Sequence, residues 1–381
     1  MSRRLGISLR FRREKSDLPE GESYYVATPR QLMWWKFRKH KLAVVALYVL
    51  GVMYLLALFA EFVSPYNPNV RHIRHLYAPS QKIHLYYEGR WHVQPAVYGL
   101  KFEIDPVTLR EKYYEEKDKT YRLRLFCRGD QYRMWGLFES DIHLLGVEPG
   151  GTLFLLGTDR MGRDMLSRII AGSRISLSIG FIGIILSFII GLILGGISGY
   201  FGGTADLLIQ RLIEVMRAFP AIPLWMGLSA ALPMTWSPLK VYFAITVILS
   251  LLGWVGVARA IRGKFLALRE EDFAVAAYLA GASRWRIIYK HLLPSFMSHI
   301  IVVLTLRIPH MIMGETALSY LGLGLRPPIT SWGVLLKECQ NVQDMAHHPW
   351  LLLPVLFIIL VILSFNFVGD GLRDAADPYA A

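Results

Sequence analysis

Asp159, Arg163, Asp164 and Arg168 crowd one stretch of this 381-residue chain, LGTDRMGRDMLSRIIAGSRISLSIG over 156–180. Carboxylates beside guanidinium groups are raw material for acid–base chemistry. That chemistry also needs a nucleophile or a metal-bound water close by. The stretch offers neither, so these residue types point to ion pairs within the fold. Glu315 is the other carboxylate in unusual company, because it lies in an apolar run. Ionisable residues in such runs face a bundle interior or a pathway. Glu315 would meet a cargo amine there, or pair with a backbone group or an Arg. His72, His75, His84 and His92 could bind a metal, but they read better as scattered surface histidines. The two cysteines, Cys127 and Cys339, would pair only in an oxidising compartment, and a bond is not assumed. The chain holds no G-x-x-x-x-G-K-[ST] and no H-E-x-x-H, so nothing in it cradles a phosphate or holds a catalytic zinc.

The elements that position these residues are membrane spans. Hydrophobic residues make up 54% of the chain, too many for an ordinary soluble domain. Six stretches have roughly the length that crosses a bilayer core: 42–63, 175–198, 215–232, 241–258, 298–318 and 349–368. Pro220 and Pro223 in the third and Pro309 in the fifth predict kinks. The fold class is therefore an all-α integral membrane protein of about six transmembrane helices. Residues 1–41 carry eleven Lys and Arg against four acidic residues, which puts the N-terminus in the cytoplasm. Six crossings return the tail 370–381 to the same side. The net charge of +13 is then a topology signal with contact to anionic lipid heads. A nucleic-acid partner is not expected, since no basic stripe with interleaved aromatics lies in a soluble domain. No cleavable leader is evident, because the first apolar run begins only at Leu42.

Between the first two spans lies a polar segment, 64–150, rich in Tyr and Trp and expected on the periplasmic side as a small α+β insert. KIHLYYEGRWHV predicts a hairpin turning at Glu88-Gly89, YRLRLFCR a strand, and DPVTLREKYYEEKDK a short helix. A docking surface for a soluble partner is its functional reading, and a solvated cap the plain one. Residues 151–174 then predict a helix capped by Thr158 or Asp159, lying along the outer surface with Arg163 and Arg168 toward water or lipid heads.

A core of five spans over 175–369 follows, interrupted by the basic loop 259–297. Within it, REEDFAVAAYLAGASRWRIIYKHLLP carries Phe273, Ala276, Ala277 and Ala280 at helical spacing, a smooth face of small side chains. Gly281 permits a sharp turn, and Trp285, Ile288 and Leu292 then share one side of a second helix that Pro294 closes. Such a face suits close docking of another protein. After span five, GETALSYLGLGLRPPITSWG over 314–333 breaks the helix at Gly322 and Gly324 and again at Pro327-Pro328. Broken backbone at membrane depth is tolerated where protein buries it or it lines an aqueous path. Glu315, Ser319, Gly322 and Gly324 are thus the pathway candidates. Gly191, Gly195 and Gly199 give span two a face for close packing, against either its own bundle or a partner. Arg211, Glu214 and Arg217 predict local ion pairs.

These motifs carry a family resemblance. Ala276, Ala277, Gly281, Leu293 and Pro294 match the E-A-A, three residues, Gly, nine residues, I-x-L-P signature of membrane subunits of ATP-binding-cassette importers. Val275 and His291 stand where that pattern has Glu and Ile. Asp159, Gly162, Arg163, Asp164, Ser167, Arg168, Gly172 and Arg174, followed by the 314–333 run, resemble the second permease subunit of oligopeptide/dipeptide-type importers over roughly 150–376. With its enlarged insert the chain also resembles microcin-C-type peptide permeases. The resemblance implies an inner-membrane heterodimer with a second permease, two cytoplasmic ATP-binding subunits holding ATP and Mg, and a periplasmic substrate-binding protein. It implies no cofactor in this chain. The coupling residues it implies are Phe273, Ala276, Ala277, Gly281, Ala282, Arg284, Leu293 and Pro294. The periplasmic signature comprises Gly157, Thr158, Asp159, Gly162, Arg163, Asp164 and Arg168. Peptides or peptide-like solutes are the implied cargo, with oligosaccharides, opines or nickel as alternatives. A secondary transporter would need coupling-ion residues, and a membrane enzyme a catalytic pair, and neither is visible beyond Glu315.

Overall fold

A computed structural model describes residues 29–104, 106 and 111–376. Helices α1 (Pro29–Lys39) and α2 (Lys41–Leu58) open the chain. A one-turn helix, Ala60–Val63, continues α2 to the start of the insert. Long helices α3 (Met165–Phe201) and α6 (Pro238–Leu268) flank two shorter ones, α4 (Gly203–Ala218) and α5 (Ala221–Ala230). Then follow α7 (Asp272–Leu279), α8 (Met297–Thr305), α9 (Ile308–Tyr320), α10 (Trp332–Lys337), α11 (Val342–His347) and α12 (Leu353–Ala376). Among the described residues, five helical stretches are long and apolar enough to cross a membrane: α2, α3, α6, Met297–Tyr320 and Pro349–Ala376.

Helix α2 buries Ala43, Ala46, Leu50, Met53 and Ala57, alternating three and four residues apart. Helix α12 answers with Ile358, Val361, Phe365 and Val368 at the same spacing, so the two pack along a coiled-coil-like seam. Ala43 approaches Gly371 while Tyr54 meets Phe365, so the helices run antiparallel. The glycine stripe of α3 is filled from within the chain. A Cβ on Gly191 would come within 2.8 Å of Val257, one on Gly199 within 2.7 Å of Phe265, and one on Gly195 would overlap the Ala258 carbonyl. This face therefore packs on α6. Its contacts advance together along both helices, so α3 and α6 are parallel.

Parallel packing requires a crossing between α3 and α6, but the third span is not the continuous helix expected over 215–232. The chain must return between Phe201 and Pro238, and α4 and α5 are what it has to do so. Phe219 and Pro220 are both extended, which splits 215–232 into an amphipathic helix and a ten-residue apolar one. Further boundaries move as well. Ser237 caps α6, with Pro238 in its first turn, and α6 runs ten residues past 258, so the loop begins near 269. The last helix extends through Ala376, into the stretch read as a tail.

Among its described residues the insert is all-β, not α+β. Strands β1 (His84–Tyr87), β2 (Arg90–Ile104), β3 (Glu111–Met134) and β4 (Phe138–Val147) form an antiparallel meander in sequence order. Glu88 and Gly89, at φ 52° and 73°, make the expected two-residue turn. The helix expected over 105–119 is a strand from Glu111 on. Tyr113, Tyr114, Glu115 and Glu116 pair with Phe102, Lys101, Leu100 and Gly99 of β2, and this cross-strand pairing outweighs the helical propensity of a Glu/Lys-rich run. The sheet buries Val97 and Leu123 with Leu153. It is anchored to the first span: Trp135 Nε1 donates to the Leu58 carbonyl at 2.8 Å, and His143 Nδ1 lies 2.6 Å from the Ser64 carbonyl oxygen. Both cysteines are free thiols. Residues 1–28, with most of the basic tail, lie outside the described residues.

Candidate functional site

The bundle has an insert end and an opposite, loop end, and sequence-singled residues gather at both. At the insert end 151–164 is not a helix along the surface. Gly157 and Gly162 adopt φ 76° and 71° and Thr158 bridges to Asp164, closing a tight loop. Helix α3 starts only at Met165, with Asp164 rather than Thr158 or Asp159 as its cap, accepting from Ser167 N at 2.8 Å. Thr158 is buried and bonds the His75 carbonyl instead. Arg163 and Arg168 are buried, where sequence placed them toward water. Asp159 accepts from Arg163 Nε at 2.6 Å and from Arg168 Nη1, and both guanidinium groups also reach Glu338. Two cations and two carboxylates make a closed, neutral network, with Asp159 0% and Arg168 1% exposed. Deleting one member would strand a buried charge, at a cost of about 3–5 kcal/mol. Burial pushes the Asp164 carboxyl up to about 6. His72 and His75 pack around Phe154, and no metal-holding group of His, Cys, Asp or Glu exists among the described residues.

Glu315 is fully buried in α9. Three hydroxyls donate to it: Ser319 Oγ at 2.8 Å, Ser331 Oγ at 2.6 Å and Ser176 Oγ at 3.1 Å. Each hydroxyl in turn accepts a backbone N–H, from Leu325, Val334 and Trp332 respectively. The cluster joins α3, α9 and the start of α10. Gly322, at φ 80°, ends α9, with Leu323 N donating to the Leu318 carbonyl. Gly324 lies so close to Ser319 that a Cβ would clash. Of the pathway candidates, Glu315 and Ser319 therefore line no surface and hold the broken segment 321–331 in place.

At the loop end, α7 stops in a Schellman turn: Ala282 N bonds the Ala277 carbonyl at 3.0 Å, Gly281 N bonds that of Tyr278 at 2.9 Å, and Gly281 sits at φ 77°. Ser283 caps the next segment, whose backbone is α-helical over Arg284–Arg286, wider over Ile287–Leu292 and α-helical again over Leu293–Ser295. Ala274, Ile287, Ile288 and Leu292 bury against Phe265 and Phe296. Phe273, Ala276 and Arg284 stay exposed, as do Tyr278 and Leu279, the last 79% exposed. Trp285 does not share a buried side with Ile288 and Leu292 but turns outward. Asp206 of α4 binds Arg262 of α6 at 2.6 Å, which holds its carboxyl down to about 2. Arg211 pairs locally with Glu214.

Sequence reasoning missed Glu338, Ser176 and Ser331, whose roles arise only from long-range packing. It also passed over Arg307 and His310. These two were findable: a guanidinium inside an apolar span is costly, about 3 kcal/mol at the centre, and so calls for a reason.

The chain matches the binding-protein-dependent transport system inner membrane component family over residues 187–380, and the N-terminal TM domain of oligopeptide transport permease C over 28–79. It is 41% identical over 242 residues to the oligopeptide transport system permease protein OppC of Haemophilus influenzae, covering 63% of this chain and 75% of that protein. Against the dipeptide transport system permease protein DppC of Lactococcus lactis subsp. cremoris it is 30% identical over 355 residues, 91% of this chain and 90% of that one. The second match leaves less than a tenth of this chain unaligned, so it takes in most of the insert. The family and the bundle coincide: the chain belongs to the binding-protein-dependent transport system inner membrane components and is a multi-pass membrane permease with the type I ABC importer fold.

Proposed function

We propose that the chain is one half of the translocation pathway of an ATP-driven importer for peptides or peptide-like solutes. The observation that carries this reading is the loop end: a rigid helix–turn–helix, clamped by Gly281, that presents Phe273, Tyr278, Leu279 and Trp285 outward. That surface docks an ATP-binding subunit, which holds ATP and Mg. Closure of the paired ATPases then pushes 269–296 as a body, and the spans rock between two access states. Nucleotide drives this only because it binds the two states unequally. The peptide assignment is supported by the relatives named for oligopeptide and dipeptide transport. Loop 269–296 and the N-terminus are then cytoplasmic, the insert is periplasmic and offers its exposed sheet to a substrate-binding protein, and a second permease completes the pathway.

The test is a native-locus tagged chain purified in mild detergent, with peptide uptake followed in the same strain. Recovery of a second permease and ATPase subunits, with ATP-dependent peptide uptake, is expected. Ala277→Asp or Gly281→Asp should abolish uptake and leave membrane insertion intact. A chain that purifies alone and transports without ATP would be a secondary carrier.

A further inference from the structure

Arg307 stands at the break between α8 and α9, ten residues into the span Met297–Tyr320 and so about 15 Å along it. No hydrogen-bonding or ion-pair partner holds its side chain among the described residues. The charged group acting on it is another cation, Arg259. Gly256 of α6 leaves the space its guanidinium occupies, since a Cβ there would overlap it. Arg307 and His310, one helical turn on, line a groove of about 480 Å³ with Trp225, Leu249, Gly253 and Met311. That volume is in the range of small-molecule sites. His310 is exposed to the groove. This site is unlike the bundle's other enclosed or half-buried arginines: Arg163 and Arg168 have Asp159 and Glu338, and Arg262 has Asp206. The chain thus holds a positive, donor-rich spot in an otherwise apolar groove at membrane depth, to which no anion comes from the described residues.

We propose that Arg307, with His310 beside it, binds the carboxylate of the solute in transit, which deepens the importer reading and rests on it. The planar guanidinium presents paired N–H donors that fit a carboxylate in a bidentate arrangement. Apolar walls from Trp225, Leu249 and Met311 accept side chains of varied shape, so the contact selects for a free carboxyl end and not for a particular residue.

The test uses the importer complex purified from its native membrane and reconstituted in proteoliposomes with its binding protein. The probes are tri-alanine and tri-alanine amide. ATP-dependent entry of tri-alanine with the wild-type complex upholds the importer reading; its absence removes that reading and this proposal together. Where entry occurs, Arg307→Gln should slow tri-alanine about tenfold, the loss of one charge-assisted hydrogen-bonded contact. Its ATPase should still respond to the binding protein. Arg307→Lys should recover part of the rate, and the acid-over-amide preference should shrink in Arg307→Gln alone. An unchanged acid-to-amide ratio in Arg307→Gln overturns the proposal. So does loss of the second permease from the Arg307→Gln complex on purification, because the carboxylate then belongs to that subunit.

Discussion

The two ends of this bundle treat their conspicuous residues in opposite ways. At the insert end Asp159, Arg163, Arg168 and Glu338 satisfy one another inside the chain. At the loop end Phe273, Tyr278 and Leu279 are held in fixed geometry by the Gly281 turn with their side chains exposed, and Trp285, stacked on Tyr289, is more than half exposed beside them. The first is a closed structure and the second an open one. Both drew notice in the sequence for the same reason, unusual residues at regular spacing. The difference shows that such patterning marks rigidity, and that a partner is implied only where the rigid element leaves its apolar surface bare.

Breaking the closed end should have the largest effect. Asp159→Ala leaves Arg163 and Arg168 sharing Glu338 alone, one buried positive charge uncompensated, and is expected to cost about 3–5 kcal/mol, seen as loss of folded chain in thermal unfolding of the purified protein. Retained stability would mean that water reaches this network. Next in size is a pH effect at Asp164. Its folded pKa of about 6 lies above the ordinary carboxylate value of 3.8. The folded chain therefore holds a proton that the unfolded chain releases, so stability falls as pH rises from about 4 to about 6, by on the order of 3 kcal/mol. The difference between wild type and Asp164→Asn, measured across that window, should show this slope in the wild type only. Gly281→Ala is smaller. Nothing crowds the position, so the penalty is the left-handed backbone alone, about 1 kcal/mol. Leu279→Ser sharpens the contrast most finely. At an exposed site it should change stability by no more than about 0.5 kcal/mol, while binding-protein-stimulated ATPase activity of the complex falls. A stability loss there without an activity loss would make the loop end as self-contained as the insert end.

What the sequence made legible was local. The Gly281 and Gly322 turns, the Glu88-Gly89 hairpin and the long apolar helices all follow from a few neighbouring residues. What it hid was set by distant chain. The strand at Glu111–Met134 exists because β2 and β4 flank it, and a Glu/Lys-rich window read alone looks helical. Arg163 and Arg168 look solvent-bound until Glu338, 170 residues from Arg168, is brought against them. Glu315 drew attention as an isolated carboxylate, but its donors Ser176 and Ser331 are ordinary residues in any window. Arg307, by contrast, is legible as a lone cation inside the apolar run 298–318.

Helix α3 has a mechanical consequence. Its 37 residues run unbroken from the Asp164 cap to Phe201, a rod of about 56 Å, nearly twice the thickness of a hydrocarbon core. One tip is bolted into the Asp159–Arg168–Glu338 network and the other reaches the root of loop 269–296, where Arg269 bonds the Gly199 carbonyl. A rod of that length pivoting by about 10° at its middle swings each tip by about 5 Å in opposite directions. Displacement at one face of the membrane thus arrives at the other without any relay of side chains, as it does in a crankshaft.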